Sequence, residues 1–123
     1  MGDRQKIVIL DDDEIFAALL AEMLGEHYDV AVGHNGLQGI ALCLGGGVDA
    51  VLTDIGMPEL DGIQMLAEFK KNPGLASIPV LVVTATNFTH RSRSEVQRFP
   101  QVRGMFSKSE KAEIIIEAVK KML

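Results

Sequence analysis

The chain has 123 residues, 47% apolar and 24% charged, and its twelve Lys and Arg against seventeen Asp and Glu leave a formal charge of -5. That is the length and balance of one globular domain; it excludes a disordered tail and makes a nonspecific nucleic-acid binder a poor reading. A single cysteine excludes an internal disulfide and a Cys-rich metal site, and no apolar run approaches the roughly 20 residues of a membrane helix.

Ile7 to Leu10 is unbroken and β-branched, as in a strand buried on both faces. Three aspartates come directly after it, so the start is not a signal peptide and the expected compartment is the cytoplasm. Phe16, Leu19, Leu20, Met23 and Leu24 recur at helical spacing. Tyr28, Val30 and Val32 alternate and predict a second strand, and Leu37 to Leu44 predicts a short helix stopped by Gly45, Gly46 and Gly47. Ala50 to Thr53 reads as a third strand, and Ile63 to Lys71 as a helix ended by Asn72, Pro73 and Gly74. Val80 to Val83 is the most hydrophobic strand. Ser92 to Arg98 predicts a short helix broken by Pro100, and Val102 to Ser107 a fifth strand. Ala112, Ile115, Ile116, Val119 and Leu123 form one stripe of a final helix, with Lys120 and Lys121 suited to its C-terminal dipole.

Five strands alternating with five helices imply an α/β fold with a mostly parallel sheet, right-handed crossovers and helices on both faces. No internal repeat or linker interrupts the order. Asn87, Phe88 and Thr89 match a glycosylation acceptor, read here as a chance match. Cys43 reads as a small buried hydrophobe. The methionines read as packing, the three histidines follow no metal-ligand spacing, and Gly45 to Gly47 lack the lysine of a phosphate loop.

The residues at the strand ends are more telling. Asp11, Asp12 and Asp13 come after the first strand, Asp54 after the third, Thr84 ends the fourth and Lys108 comes after the fifth. In an open parallel sheet these ends share one edge, where such folds bind ligands. Each residue has a plain structural alternative: a helix cap for the aspartates, a turn residue for Asp54, a β-branched strand residue for Thr84 and a solvated lysine for Lys108. One aspartate suffices as a cap, however, and three close carboxylates repel unless a cation sits among them. Oxygen ligands without His or Cys suit Mg²⁺. Beside such a cation and Lys108, Asp54 is a plausible nucleophile toward a phosphoryl group, with Thr84 and Lys108 on its oxygens.

These residues also carry a family resemblance. The acidic opening Asp11, Asp12, Asp13, the run Asp54-Ile-Gly-Met57-Pro58-Glu-Leu-Asp61-Gly62, Thr84 with Ala85 after it, and Lys108 resemble the receiver domain of two-component response regulators over essentially the whole chain, 1–123. The resemblance implies a flavodoxin-like (βα)5 fold with strand order 2-1-3-4-5. It implies that Asp54 accepts a phosphoryl group from a histidine kinase or phosphotransfer protein. By the same resemblance Asp12, Asp54 and the Gly56 carbonyl hold Mg²⁺, with Asp11 acting mainly through water, and Thr84 and Lys108 contact phosphoryl oxygens. It implies hydrolysis of that phosphate by the domain itself, with Gly56 and Thr86 at positions that tune its lifetime, and output through a downstream protein target. No direct nucleic-acid or membrane contact is expected, and the expected state is a stand-alone monomer or weak homodimer.

Three departures from the family pattern stand out. Ser109 replaces a proline usually preceded by a cis bond; before a non-proline residue that bond costs about 2.5–4 kcal/mol, so a trans or locally strained peptide is expected, and Ser109 is a candidate cap for the last helix. Met105 replaces the family's switch aromatic, while Phe106 is expected on the opposite face. The stretch from Thr84 to Lys108 is long, carries Pro100, and gathers His90, Arg91, Arg93, Arg98 and Arg103 into a basic patch that is either a solvated face or a docking face. Two rival readings remain: a receiver-like module that is never phosphorylated, and a haloacid-dehalogenase-type phosphohydrolase with Asp11 as nucleophile and Asp13 as acid/base. The second lacks a further acidic motif and leaves Met57 and Pro58 unexplained.

Overall fold

The computed structural model of the protein describes residues 4–85 and 90–123. Its strands are β1 (Lys6–Leu10), β2 (Asp29–Gly33), β3 (Ala50–Thr53), β4 (Val80–Thr84) and β5 (Val102–Ser107). They pair in parallel in the order β2-β1-β3-β4-β5. The helices are α1 (Glu14–Leu24), α2 (Gly36–Leu44), α3 (Gly62–Lys71), the single turn α4 (Pro73–Ala76), α5 (His90–Gln97) and α6 (Ala112–Met122). This is the flavodoxin-like doubly wound arrangement.

The side-chain period of two divides the sheet between two cores. Val8, Leu10, Val51, Val80 and Val82 face Cys43, Met65, Leu66, Phe69 and Val96 of α2, α3 and α5. Ile7, Ile9, Leu52, Leu81 and Val83 face Ala17, Leu20 and Leu24 of α1 and Ile115, Ile116 and Val119 of α6. Central strands covered on both faces explain why β1, β3 and β4 are continuous apolar runs. At the edge, β2 leaves Val32 37% exposed.

Several local expectations are corrected. The buried stripe of α1 is Ala17, Leu20 and Leu24, and Leu19 is exposed; with the cap at Asp13, positions i, i+3 and i+7 from Ala17 meet the sheet. Asn72 ends α3 and its side chain also accepts from the Gly74 N–H at 2.9 Å, so Pro73 opens a sixth helical segment at the one position where its missing N–H costs nothing. Ser109 does not cap α6, which starts at Ala112; its hydroxyl instead lies 2.7 Å from that of Ser107, whose Oγ also accepts the Ser109 N–H at 3.1 Å. Met105 packs into the α2–α3 core and Phe106 into the α1–α6 core, on opposite faces as alternation requires. No peptide bond is cis among the described residues. Thr86 and the Asn87–Thr89 match lie outside the described residues. No described helix is long and apolar enough to cross a membrane.

Candidate functional site

The strand order reverses between β1 and β3, and the crevice at their C-terminal ends is where this topology places a site. Asp11 continues from β1: its N–H donates to the Gly33 carbonyl at 3.1 Å, and its carboxyl is buried. Asp13 accepts from the Phe16 N–H at 3.1 Å and caps α1. That leaves Asp12 exposed between the two. Asp54 continues from β3, with its N–H donating to the Leu10 carbonyl at 2.9 Å, and it is 7% exposed. Its Oδ1 accepts the Ile55 N–H at 2.6 Å, which fixes the carboxylate plane.

The turn after Asp54 is held by α3. Asp61 and Gln64 form a reciprocal capping box at that helix's start. Gly62 donates its N–H to the Ile55 carbonyl at 2.9 Å and lies so close that a Cβ there would stand 2.5 Å from the Asp54 carbonyl oxygen. Gly56 lies on the exposed part of this turn, with open space around it.

Lys108 enters from the far side of the sheet. Its N–H donates to the Thr84 carbonyl at 2.8 Å, which anchors the lysine beside the buried end of β4. Its Nζ lies 2.9 Å from Asp11 Oδ1, 2.9 Å from Asp11 Oδ2 and 2.9 Å from Asp54 Oδ2. Burial pulls the Lys108 ammonium toward deprotonation, but its hydrogen bonds and charge pairing with Asp54 and Asp11 outweigh that, and its pKa is raised. Asp11 is also raised: desolvation by burial exceeds the help of the Asp13 N–H and Lys108. One carboxylate oxygen each from Asp11, Asp12 and Asp54 lie within 4.8 Å of one another. Three carboxylates against one ammonium leave a formal excess of two negative charges when all are ionised.

Asp11, Asp12, Asp54 and Lys108 are thus in one cluster, Thr84 is tied to it through the backbone, and Gly56 sits two residues beyond Asp54. Two further neighbours carry no mark in the sequence. The Lys108 Nζ stands 5.2 Å from the Phe16 ring centroid; Phe16 reads as part of the helix stripe, although its place three residues after the capping Asp13 puts it at the same edge. His34 donates from Nδ1 to the Asp11 carbonyl at 3.0 Å; it comes directly after β2, a cue that metal-ligand spacing does not register. Of the basic patch, Arg93, Arg98 and Arg103 are exposed, and Arg93 and Arg103 line one cleft with Gln97 and Met105. The side chains of His90 and Arg91 lie outside the described residues.

The family described as "Response regulator receiver domain" matches residues 7–120. The transcriptional regulatory protein ZraR of Klebsiella oxytoca is 43% identical over 86 residues, covering 68% of this chain and 19% of that protein. The chain matches 18% to 39% of the length of eight curated relatives, which are longer proteins. The chemotaxis response regulator CheY4 of Vibrio cholerae superposes with a TM-score of 0.87 at 17% identity, over 98% of this chain and 100% of that one, a likeness of fold. The response regulator TrrA of Thermotoga maritima, solved in complex with Mg(2+)-BeF, has a TM-score of 0.78 at 26% identity, over 97% and 99% of the two chains.

Proposed function

This chain belongs to the response regulator receiver family of two-component signalling, and from that premise we propose that residues 1–123 form one phosphoryl-accepting receiver domain with Asp54 as the acceptor. The observation that carries the reading is the convergence of Asp11, Asp12 and Asp54 within 4.8 Å, with the Lys108 ammonium 2.9 Å from two of them. A rigid turn held by Ile55 and Gly62 presents one of these carboxylates as a nucleophile at the crevice.

In the proposed transfer, an Asp54 carboxylate oxygen attacks the phosphorus of a phosphohistidine on a histidine kinase or phosphotransfer protein. The new P–O bond forms as the P–N bond breaks, and the electron pair leaves on the imidazole nitrogen. The Lys108 ammonium, already against Asp54, turns to an equatorial phosphoryl oxygen, and the Thr84 hydroxyl donates to another. Return to the resting state is attack of water on phosphorus, which releases phosphate and restores the carboxylate.

The donor set fits a hard divalent cation: it is all oxygen, two of the three acids are buried, and its charge exceeds what Lys108 balances. Asp12, Asp54 and the Gly56 carbonyl would hold Mg²⁺, with Asp11 nearby. When bound, the ion would neutralise charge on the phosphoryl oxygens. The complex described for the TrrA relative supports this choice of ion. The output is a change in protein contacts, for which the exposed Arg93, Arg98 and Arg103 offer a docking face; phosphorylation shifts the equilibrium only as far as partners discriminate between the two forms.

The test is intact mass after incubation with Mg²⁺ and acetyl phosphate. The wild type is expected to gain one phosphoryl group, Asp54→Asn to gain none, and prior chelation to abolish the gain. An adduct on Asp54→Asn at another aspartate would overturn the assignment, and no adduct from acetyl phosphate or a kinase panel would favour the phosphorylation-independent module.

A further inference from the structure

We infer that Phe16 is a positioning residue for Lys108, its ring face holding the ammonium at the crevice while the anionic partners of that ammonium change. The inference rests on the proposed phosphoryl-accepting role and deepens it. Its observation is the Nζ 5.2 Å from the Phe16 ring centroid, within the range at which an aromatic face attracts a cation. The lysine side chain is 21% exposed, so this attraction acts in a partly desolvated place.

Both partners are fixed at their backbones. The Phe16 N–H is the donor that Asp13 caps, at 3.1 Å, so the ring hangs from the first turn of α1. The Lys108 N–H is tied to Thr84, and the Ser107 and Ser109 hydroxyls close the turn around it. Beyond its Cα, however, Lys108 has a long flexible stem. Its ammonium touches Asp11, Asp54 and the ring.

The carboxylates and the ring differ in what they demand. A carboxylate takes an N–H as acceptor and competes directly with a phosphoryl oxygen for it. An aromatic face attracts the charge as a whole and takes no lone-pair acceptor position. When a phosphoryl group joins Asp54, one carboxylate contact must yield to a phosphoryl oxygen, and the ring contact need not change. Phe16 therefore limits how far the ammonium strays as its hydrogen bonds are exchanged.

The experiment compares Phe16→Leu and Phe16→Met, which keep apolar volume, with Phe16→Tyr and Phe16→Trp, which keep a ring face. In the unphosphorylated protein, the Lys108 ε-methylene proton resonances should show a ring-current displacement that Leu and Met abolish and Tyr and Trp retain. With Mg²⁺ and acetyl phosphate, the maximal phosphorylation rate should fall about three- to tenfold in Leu and Met and return in Tyr and Trp. Mg²⁺ affinity should stay within about twofold throughout, because none of these substitutions changes the number of carboxylates or removes the Lys108 charge. Equal rates in the Leu variant and the wild type would overturn the role. So would an equal loss in all four variants, which would mean that the site needs only the shape of phenylalanine. A wild type that takes up no phosphoryl group sinks the reading of the site itself and the role with it, a result distinguishable from both.

Discussion

Asp13 is the aspartate of the opening triplet whose carboxylate closes the first turn of α1. Its role divides the triplet: Asp13→Ala should cost about 1 kcal/mol of stability, as a lost N-cap does, and leave phosphoryl uptake near the wild-type rate. Asp12→Ala should do the reverse, sparing stability and lowering Mg²⁺ affinity; urea unfolding and Mg²⁺ titration on both variants separate the two. Cys43 gives a second prediction at this scale. Burial pushes its thiol from the ordinary 9.0 up to about 11, so between those values the unfolded chain releases a proton that the folded chain keeps. The associated stability is complete below pH 9.0 and is lost as pH rises through about 11. Unfolding free energies across that range should fall less steeply in Cys43→Ala, with the alkaline loss owed to the raised Lys108 persisting in both proteins. The clustering of Asp11, Asp12, Asp54 and Lys108 is legible in the sequence because each comes directly after a strand whose end lies on one edge of a parallel sheet. Phe16 and His34 are not, because their contacts cross from one element to another and an aromatic in a helical stripe carries no mark of the cation above it.

At the scale of elements, the central strands β1, β3 and β4 are legible almost to the residue, since burial on both faces leaves uninterrupted apolar runs, and the edge strand β2 is legible by its alternation. Helix phase is harder. Ala17 faces the sheet in place of Leu19 because the cap sets the rotation of α1, and hydrophobicity alone favours the larger residue. The turn α4 is hidden because Pro73 reads as a stop when it is also an acceptable first helical residue. Ser109 reads as a cap for α6, but a hydroxyl pair with Ser107 takes its side chain and the helix starts later. The element that most directly shapes the site is α3. Asp61→Ala removes half of its capping box and should cost about 1 kcal/mol with little effect on Asp54. Gly62→Ala adds a Cβ that would stand 2.5 Å from the Asp54 carbonyl oxygen and 2.9 Å from the Ile55 Cα, both backbone atoms that yield only if the turn moves. It should cost about 1–3 kcal/mol, as overpacking does, and should also slow phosphoryl uptake. Thermal unfolding with phosphorylation kinetics on the two variants checks that the loss of function tracks displacement of the turn and not loss of the helix start.

Across the whole molecule, Lys108 joins strand ends that the fold brings together from far apart, β5 to β1 and β3, with 97 positions separating it from Asp11. Removing its charge leaves Asp11 and Asp54, 2% and 7% exposed, facing each other without an ammonium between them. Lys108→Met keeps most of the apolar stem, so its cost reports the charge: about 1–3 kcal/mol, below the figure for a fully buried pair because the lysine side chain is 21% exposed. A divalent cation bound by the same acids stabilises the folded state by mass action, and the increment grows with affinity. Affinity in turn grows with the uncompensated charge of Asp11, Asp12 and Asp54, which rises from two to three when the Lys108 ammonium is removed. Mg²⁺ should therefore raise the melting temperature of both proteins and should raise that of Lys108→Met by more, narrowing the gap seen in chelator. An equal increment in both would mean that the ammonium and the ion do not share these carboxylates. No increment in either would remove the cation from the site and leave Lys108 as a structural tie across the sheet edge.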